Sequence, residues 1–423
     1  MTFFVDIKLT PKNLKGQVDL PASKSYAHRM LITAAFSRTE SVLLGNFSSD
    51  DLSATIRALT AFGAKFDSVD GGVKITPAAK VERAVVDCGE SGSTLRFSVP
   101  IVAALGIETT FIGAKRLGER PMDELLNCLK EHGIKVVRKG FPLTISGKLS
   151  AGDYEIDGSR SSQYVTGLLL ALPLLEGNST LVVRDESSKA YIDITLDVLQ
   201  KSGAEITKNG NTFFIRGGRY SVCGDRKVEG DWSNAAFWMV AGLLGEEISI
   251  GNLNVESAQG DRRVQELLKQ AGGDISWKNG RLTVKPSNLH AITFDADDIP
   301  DAVPAMSVAL AAATGTSVIT GVKRLRIKES DRVAAVIDML TRLGVHATYN
   351  EYDDAIEIAG VPRFNGGTLC SYNDHRLAMA GAVAAIRAQA PITISGAEAV
   401  KKSYPAFFAD YENLGGNICR LPV

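Results

Sequence analysis

The stretch ALTAFGAKFD (residues 58–67) decides the fold, because it is one of six similar segments spaced evenly along the chain. In each segment the end of an amphipathic helix meets a Gly and a short extended segment follows, which is typical of a helix C-terminus. The gaps between successive glycines are 70, 70, 69, 72 and 71 residues, so six repeats fill the 423 residues. The other five segments are CLKEHGIKVV (128–137), VLQKSGAEIT (198–207), LLKQAGGDIS (267–276), MLTRLGVHAT (339–348) and YENLGGNICR (411–420).

A second series of segments has the same spacing. Strand-like stretches rich in β-branched residues recur once in each repeat, from SVLLGN (41–46) to ITISGA (392–397). Each repeat also carries a helix that is apolar nearly all round, such as SNAAFWMVAGLL (233–244), and such a helix is typical of a buried position. We therefore predict an α/β fold whose repeat contains an inner helix, a strand, an amphipathic outer helix and two more strands.

The length of the chain predicts two domains. A chain of 423 residues exceeds what one hydrophobic core usually serves, and six repeats divide naturally into two sets of three. We predict a first domain over residues 18–228 and a second domain formed by 1–17 together with 229–423. The first strand, FFVDIKL, is placed in the second domain, so the chain crosses between domains near residues 15–20 and 225–231.

Composition excludes several classes of protein. A net charge of −1 with 22% charged residues argues against a basic nucleic-acid-binding surface. The five cysteines show no CxxC spacing, which favours reduced thiols in a cytoplasmic protein and argues against a metal site. Neither an uninterrupted apolar run of membrane-spanning length nor a signal-peptide pattern is present. We therefore expect a cytoplasmic protein that binds neither nucleic acid nor membrane.

The starts of the predicted helices carry cations. Lys24, Arg29, Arg96 and Arg376 stand at or near the beginning of inner helices, and further Lys and Arg residues stand where outer helices begin. Capping does not explain them, because the helix dipole disfavours cations at an N-terminus. Together with unpaired backbone N–H groups, these cations predict a site that holds several phosphates or carboxylates at once. Solvated surface charge is the structural alternative.

Eight short motifs resemble, in order and over the whole chain, the signature segments of the 5-enolpyruvylshikimate-3-phosphate (EPSP) synthase family. This resemblance implies transfer of the enolpyruvyl group of phosphoenolpyruvate to shikimate 3-phosphate, without metal or cofactor. It also implies two domains, each with three βαβαββ repeats around buried parallel helices (an inside-out α/β barrel), that close on the substrates. We expect the protein to be a monomer. The motifs are PASKSYAHR (21–29), GESGSTLR (89–96), RP (120–121), SSQ (161–163), SKAYIDIT (188–195), IPDA (299–302), IKESDR (327–332) and NDHR (373–376).

The resemblance also implies a role for individual residues. The residues implied to bind phosphoenolpyruvate, at a subsite that glyphosate also occupies, are Lys24, Gly92, Arg120, Gln163, Arg332, Arg376 and Lys402. Those implied to bind shikimate 3-phosphate are Ser25, Arg29, Ser161, Ser162, Gln163, Ser188, Tyr191, Asp301 and Lys328. Asp301 is implied to accept the proton of the attacking hydroxyl, and Glu329 and Lys24 are candidates for proton transfer at the methylene carbon and the leaving phosphate.

Some positions depart from the family pattern, and other interpretations stay open. Position 90 is Glu where the family suggests Asn, and Arg324 stands where some relatives carry an amide.

Asp301 could instead cap a helix, and His375 could be a packed residue rather than a catalytic one. The alternatives for the whole chain are a transferase acting on UDP-N-acetylglucosamine, although no Cys lies in residues 113–122, and a non-catalytic repeat protein that binds anions.

Overall fold

Strands and helices alternate along the chain, which a computed structural model describes over residues 6–138, 140–218, 220 and 224–421. The strands are β1 (Asp6–Thr10), β2 (Gly16–Asp19), β3 (Ser41–Leu44), β4 (Lys65–Val69), β5 (Gly72–Thr76), β6 (Arg83–Asp87), β7 (Glu108–Ile112), β8 (Lys135–Arg138), β9 (Leu143–Ser146), β10 (Asp153–Asp157), β11 (Ser179–Arg184), β12 (Ile206–Asn209), β13 (Thr212–Ile215), β14 (Arg226–Lys227), β15 (Ile248–Gly251), β16 (Asp274–Lys278), β17 (Arg281–Lys285), β18 (Thr293–Asp295), β19 (Thr316–Thr320), β20 (His346–Asn350), β21 (Ala355–Ala359), β22 (Gly367–Cys370), β23 (Ile392–Ser395) and β24 (Asn417–Leu421). The α-helices are α1 (Lys24–Ala35), α2 (Asp50–Ala61), α3 (Gly92–Leu105), α4 (Lys115–Glu119), α5 (Asp123–Glu131), α6 (Ser162–Ala171), α7 (Lys189–Lys201), α8 (Trp232–Leu244), α9 (Val264–Gln270), α10 (Val303–Ala311), α11 (Arg332–Arg342), α12 (His375–Ala384) and α13 (Phe407–Asn413).

The chain divides into two compact units. The first unit comprises residues 22–229, and the second unit comprises residues 1–21 together with 230–423. The chain therefore passes from one unit to the other after Pro21 and again after Glu229. The strand β1 lies in the second unit, where it pairs with the two strands β23 and β24.

Six four-stranded sheets, three in each unit, share one arrangement. In each sheet a parallel pair is followed by two antiparallel pairings, as in β6-β7-β9-β8, where β6 is parallel to β7 and β9 runs between β7 and β8. The other two sheets of the first unit are β14-β3-β5-β4 and β10-β11-β13-β12. The second unit contains β16-β17-β15-β2, β18-β19-β21-β20 and β22-β23-β1-β24.

These sheets confirm the βαβαββ repeat and add a strand that the residue pattern alone did not predict. A short strand precedes each inner helix, and in four of the six repeats it lies parallel to the strand that follows that helix, as β10 and β11 flank α6. Two of these leading strands are exchanged between repeats. The strand β2 precedes α1 in the chain but pairs with β15, whereas β14 precedes α8 but pairs with β3.

The inner helices are buried, as their composition predicts. Every residue of α8, α10 and α12 is buried, and these three helices pack on one another in the core of the second unit. In the first unit α6 packs against α3 and α1. Within the part of the chain that the structure describes, no helix is long and apolar enough to cross a membrane.

The six outer helices end at the predicted glycines. Each glycine has a positive φ, which an L-residue adopts only with strain, and an extended strand begins two or three residues later. This shared ending explains the even spacing, because the same local conformation is required once in each repeat. The glycines are Gly63, Gly133, Gly203, Gly272, Gly344 and Gly415.

Two of these glycines give a matched test of the helix ending. Both Gly63→Ala and Gly133→Ala place a Cβ at positive φ, at +102° and +82°, which costs about 1–2 kcal/mol. At Gly63 the new Cβ would also lie 2.3 Å from the carbonyl oxygen of Ala79, whereas nothing lies within 4 Å at Gly133. We expect Gly63→Ala to lower the free energy of unfolding by about 3 kcal/mol or more, and Gly133→Ala only by the strain. Urea denaturation of both variants measures the difference, and equal losses would contradict it.

Candidate active site

The inner helices begin at the polar motifs that the sequence singles out. Five of them have a capping side chain that accepts a backbone N–H of the first turn, whereas α10 has no such cap and carries Pro304 in its first turn. The residue that precedes α10 as its N-cap is Ala302, so Asp301 is not the helix cap. The five capping residues are Ser23, Ser91, Ser161, Asp231 and Asp374.

In the first unit, Lys24 is held at the start of α1 by a carboxylate. Its Nζ lies 2.8 Å from Oδ2 of Asp51 on α2, and both side chains are largely buried. The Asp51 backbone carbonyl also accepts from the hydroxyl of Thr94 on α3. The ammonium group is therefore fixed among three helices, and Asp51 is a partner that sequence analysis missed.

The polar motifs at the starts of α3 and α6 are connected through Arg96. Its guanidinium donates to Oε1 of Gln163 at 2.7 Å and to the carbonyl of Pro121 at 2.9 Å, and Gln163 Nε2 donates to Ser93 at 3.0 Å. Arg96 thereby orients the Gln163 amide and holds the loop that carries Arg120.

Arg120 lies against the start of α3. A Cβ built at Gly92 would lie 2.6 Å from Nη1 of Arg120, so Gly92 permits the guanidinium to approach the first turn of α3. A guanidinium beside unpaired helix N–H groups provides an arrangement suited to a phosphate.

Arg29 is buried and connects three helices of the first unit. Its guanidinium donates to the hydroxyls of Thr195 and Thr166 at 2.8 and 3.3 Å, and to the backbone carbonyls of Ser25 and Tyr191 at 2.7 and 2.9 Å. Burial lowers the pKa of Arg29 to about 10, so it is still a cation at neutral pH. The structure thus brings together Arg29, Ser25 and Tyr191, three of the residues predicted to share a substrate.

The serines predicted at the shikimate side lie at two helix starts in the first unit. Ser161 caps α6, and Ser162 is the first residue of that helix. Ser188 is the residue before α7 and has a left-handed backbone, with φ +48°. Their hydroxyls accompany backbone N–H groups at two helix N-termini, which suits them to bind anionic oxygens.

In the second unit, a buried Arg332 gathers three carboxylates. Its Nε lies 2.7 Å from Asp374 Oδ2, its Nη1 lies 2.6 Å from Asp301 Oδ1, and its Nη2 lies 2.8 Å from Glu329 Oε2. The Arg332 side chain is 1% exposed. Arg376 on α12 completes the cluster, because its Nη2 donates to the other oxygen of Asp301 at 2.9 Å.

The charges around Asp301 keep it ionised. Burial alone raises the pKa of Asp301, but the charges of Arg376, Lys328 and Arg332 outweigh burial and hold that pKa well below its usual value. The pKa of Lys328 is lowered to about 8, because burial lowers that pKa by more than the charge of Asp301 raises it. Asp301 is therefore a carboxylate at neutral pH and can accept a proton.

Lys402 is positioned by a left-handed turn before α12. Tyr372 and Asn373 have φ of +52° and +55°, and Lys402 Nζ donates to the Asn373 carbonyl. The next residue, Asp374, is fully buried and caps α12 while binding Arg332. His375, the first residue of α12, is buried with its Nδ1 3.9 Å from an oxygen of Asp374.

The structure settles where the two unusual residues lie. Glu90 is exposed, and the guanidinium of Arg96 donates to Gln163 and Pro121. Arg324 binds the carboxylate of Asp297 and donates to its backbone carbonyl at 3.1 Å. Over residues 6–138, 140–218, 220 and 224–421, no three His, Cys, Asp or Glu side chains are grouped as metal ligands.

Two partners in these clusters were missed by sequence analysis: Asp51 and Asp374. Asp374 lies inside the quoted NDHR motif, where an Asp that immediately precedes a buried helix was a signal for a cap but not for an ion pair. Asp51 lies in the SSDD run (48–51), which indicates the first turn of α2 and contains nothing that points to Lys24.

Comparison with known proteins identifies close relatives over nearly the whole chain. Residues 9–411 match the family EPSP synthase (3-phosphoshikimate 1-carboxyvinyltransferase). The 3-phosphoshikimate 1-carboxyvinyltransferase of Clostridium novyi is 38% identical, with 98% of each chain covered, and that of Clostridium kluyveri is 40% identical, with 97% of this chain and 98% of the relative covered.

Solved structures have the same fold. The EPSP synthase of Acinetobacter baumannii has a TM-score of 0.84 and 28% identity, and the alignment covers 99% of this chain and 100% of that one. The enolpyruvyl transferase NikO from Streptomyces tendae has a TM-score of 0.80 at 18% identity, with 100% and 99% covered, and shares the fold.

The buried ion cluster predicts a difference between two capping aspartates of the second unit. Asp374 caps α12 and neutralises buried Arg332, whereas Asp331 caps α11 and pairs with the exposed Arg326. Asn caps a helix as well as Asp does, so Asp→Asn keeps the cap and replaces the charged oxygen that faces the guanidinium by a neutral amide group. We expect Asp374→Asn to lower the free energy of unfolding by about 2–3 kcal/mol, because Arg332 loses a buried counter-charge.

The matched variant Asp331→Asn should change stability by no more than about 0.5 kcal/mol. Denaturant unfolding of both variants at the same pH measures the two changes. If the losses are the same, the carboxylate of Asp374 serves only as a cap.

Proposed function

The chain belongs to the EPSP synthase family, the 3-phosphoshikimate 1-carboxyvinyltransferases. From this we propose which of its residues bind each substrate and which transfer protons. The enzyme transfers the enolpyruvyl group of phosphoenolpyruvate to the 5-hydroxyl of shikimate 3-phosphate, with release of inorganic phosphate, in the shikimate pathway of aromatic biosynthesis. The observation that carries the proposal is the ionised Asp301 among three cations.

The phosphate of phosphoenolpyruvate is bound in the first unit by Lys24, Arg120 and Gln163, beside the backbone of Gly92. The contact of Arg120 with the start of α3 supports this assignment, and so does the orientation of Gln163 by Arg96. Asp51 lowers the net positive charge at Lys24 and holds its ammonium in place. A neutral or partly neutralised site binds a phosphate less tightly and releases the product phosphate faster.

Shikimate 3-phosphate is bound by hydroxyls and cations at the starts of α1, α6 and α7, and Lys328 and Asp301 are also assigned to this substrate. Arg29 supports this assignment through its bonds to the backbone carbonyls of Ser25 and Tyr191, which fix both residues relative to α1. The first-unit residues proposed to contact this substrate are Ser25, Arg29, Ser161, Ser162, Gln163, Ser188 and Tyr191.

The carboxylate of phosphoenolpyruvate is bound by Arg332, Arg376 and Lys402. Arg332 and Arg376 both hold Asp301 in this structure, so an incoming carboxylate competes with Asp301 for their guanidinium groups. That competition loosens the hold on Asp301 as the substrate binds. The pKa of Asp301 then rises toward its usual value, and the carboxylate becomes a stronger base at the moment when a base is needed.

Addition and elimination use the same groups in opposite directions. Asp301 accepts the proton of the 5-hydroxyl as its oxygen bonds to the enol carbon of phosphoenolpyruvate, and Glu329 or Lys24 delivers a proton to the methylene carbon. In the second step the new methyl group returns a proton to that residue, the bond from carbon to the phosphate oxygen breaks, and the proton that Asp301 accepted leaves with the inorganic phosphate. Glu329 lies beside Arg332, which supports a role as the partner acid, because one guanidinium fixes both carboxylates.

Lys24 tests the phosphate subsite. We expect Lys24→Met to abolish measurable turnover and to weaken phosphoenolpyruvate binding by about 1.5–3 kcal/mol, the value of a charge-assisted contact, while the circular dichroism spectrum is unchanged. Lys74→Met is the matched control in the same unit, since Lys74 also pairs with a carboxylate, Glu40, but at the surface. A phosphate-release assay compares the two, and near-native activity of Lys24→Met would exclude Lys24 from the site.

The two proposed proton-transfer residues test the mechanism. We expect Asp301→Asn and Glu329→Gln each to lower kcat by about 10²–10⁴-fold, the usual contribution of a general acid or base. In Asp301→Asn the affinity for phosphoenolpyruvate should be kept or increased, because Asn competes less for Arg332 and Arg376. Steady-state kinetics measure both constants, with Asp331→Asn as the charge-matched control, and a change in KM alone would contradict the assignment.

A further inference from the structure

Asp261 is a buried carboxylate of the second unit to which the proposed mechanism gives no role. It lies in the one-turn 3₁₀ helix Gly260–Arg263 before α9 and is 5% exposed. Its Oδ2 accepts a hydrogen bond from the hydroxyl of Ser233 in the first turn of α8. Its Oδ1 has no hydrogen-bond donor among the residues that the structure describes. A buried carboxylate with a single hydroxyl donor is poorly stabilised as an anion.

The charges that act on the pKa of Asp261 come from three elements. They are Asp301 in the segment before α10, Arg376 on α12, and Asp231, the capping residue of α8. Two of the three are carboxylates, and Arg376 already donates to Asp301. Asp301, in contrast, has Arg332, Arg376 and Lys328 around it. When two buried carboxylates interact, the one with more cations holds the negative charge and the other holds the proton.

The direction of the pKa shift agrees with this comparison. Burial raises the pKa of Asp261 to about 7, the charge of Asp301 adds to that rise, and Arg376 and the Ser233 hydroxyl oppose it. Asp261 is therefore protonated below about pH 7 and ionised above it, within the range in which enzymes operate.

We infer that Asp261 is a positioning residue whose protonated form leaves the positive charge of Arg376 to be shared only by Asp301 and the substrate carboxylate. This inference rests on the proposed binding of the phosphoenolpyruvate carboxylate by Arg376. Once Asp261 ionises, a third negative charge acts on that guanidinium. The subsite then attracts phosphoenolpyruvate less strongly, so Asp261 sets an upper pH limit on capture of this one substrate.

The test is the pH dependence of kcat/KM for phosphoenolpyruvate at saturating shikimate 3-phosphate, from about pH 5.5 to about pH 9. In the wild-type enzyme we expect a limb that falls as pH rises through about 7. Asp261→Asn keeps the size of the side chain and cannot ionise. The ratio of variant kcat/KM to wild-type kcat/KM should therefore rise by about threefold to tenfold from the lowest to the highest pH of this range. The titration of the substrates' own phosphates is common to both enzymes and cancels in this ratio.

A second variant covers the case in which Asp261→Asn does not fold. The Ser233 hydroxyl stabilises the ionised form of Asp261, so Ser233→Ala should move the falling limb to higher pH without removing it. Glu266→Gln is the control, because Glu266 is an exposed acid on the adjacent helix α9 and its loss should leave the wild-type profile.

The inference is overturned if Asp261→Asn or Ser233→Ala lowers activity by the same factor at every pH, which is what a purely structural role would do. A parallel titration against shikimate 3-phosphate separates this inference from the proposed substrate assignment. If the Asp261-dependent limb appears only in kcat/KM for shikimate 3-phosphate, Asp261 does ionise as inferred, but the binding of the phosphoenolpyruvate carboxylate by Arg376 is wrong.

Discussion

The ion cluster around Arg332 is the interaction on which the rest of the second unit depends. A guanidinium that is almost fully buried requires counter-charges, and it finds them in Asp374, Asp301 and Glu329. These three residues belong to the cap of α12, the segment before α10 and the segment before α11. One buried cation therefore fixes the starts of three helices relative to one another, and two of its carboxylates, Asp301 and Glu329, are those proposed to transfer protons.

The repeated sheet arrangement explains why such clusters form. In every sheet a strand that leads into an inner helix lies parallel to a strand that follows one, and polar residues at the starts of the inner helices of a unit contact one another. In the second unit Ser233 at the start of α8 meets Asp261, and Asp301 before α10 meets Arg376 at the start of α12. In the first unit Gln163 at the start of α6 meets Arg96 of α3. Gathered helix N-termini favour anions, which suits substrates that carry phosphates and carboxylates.

Stability and function are in opposition at these clusters. Asp301 neutralises Arg332 and Arg376, yet the same guanidinium groups are those proposed to bind the substrate carboxylate. Lys24 is similarly paired with Asp51. An internal carboxylate in each place keeps the cations from lying buried and uncompensated. Under the proposed substrate assignment, the substrate displaces part of that interaction, which lowers its apparent affinity but leaves the charged groups already in position.

The sequence by itself determined the features that depend on local conformation. A Gly at positive φ ends each outer helix, and an inner helix without a polar face must be buried, so the six repeats and their α/β class follow from spacing and composition. Eight short motifs also carried the family resemblance. The exchange of β2 and β14 between sheets, the Lys24–Asp51 pair and the three carboxylates of Arg332 were decided only by the tertiary structure. Strand pairing and ion pairing depend on distance in space, and residues 16–19 and 248–251 are neighbours in a sheet although more than two hundred positions separate them in the chain. The same holds for protonation: Asp261 and Asp301 are both aspartates that precede helices, and only their surrounding charges assign the proton to one and the negative charge to the other.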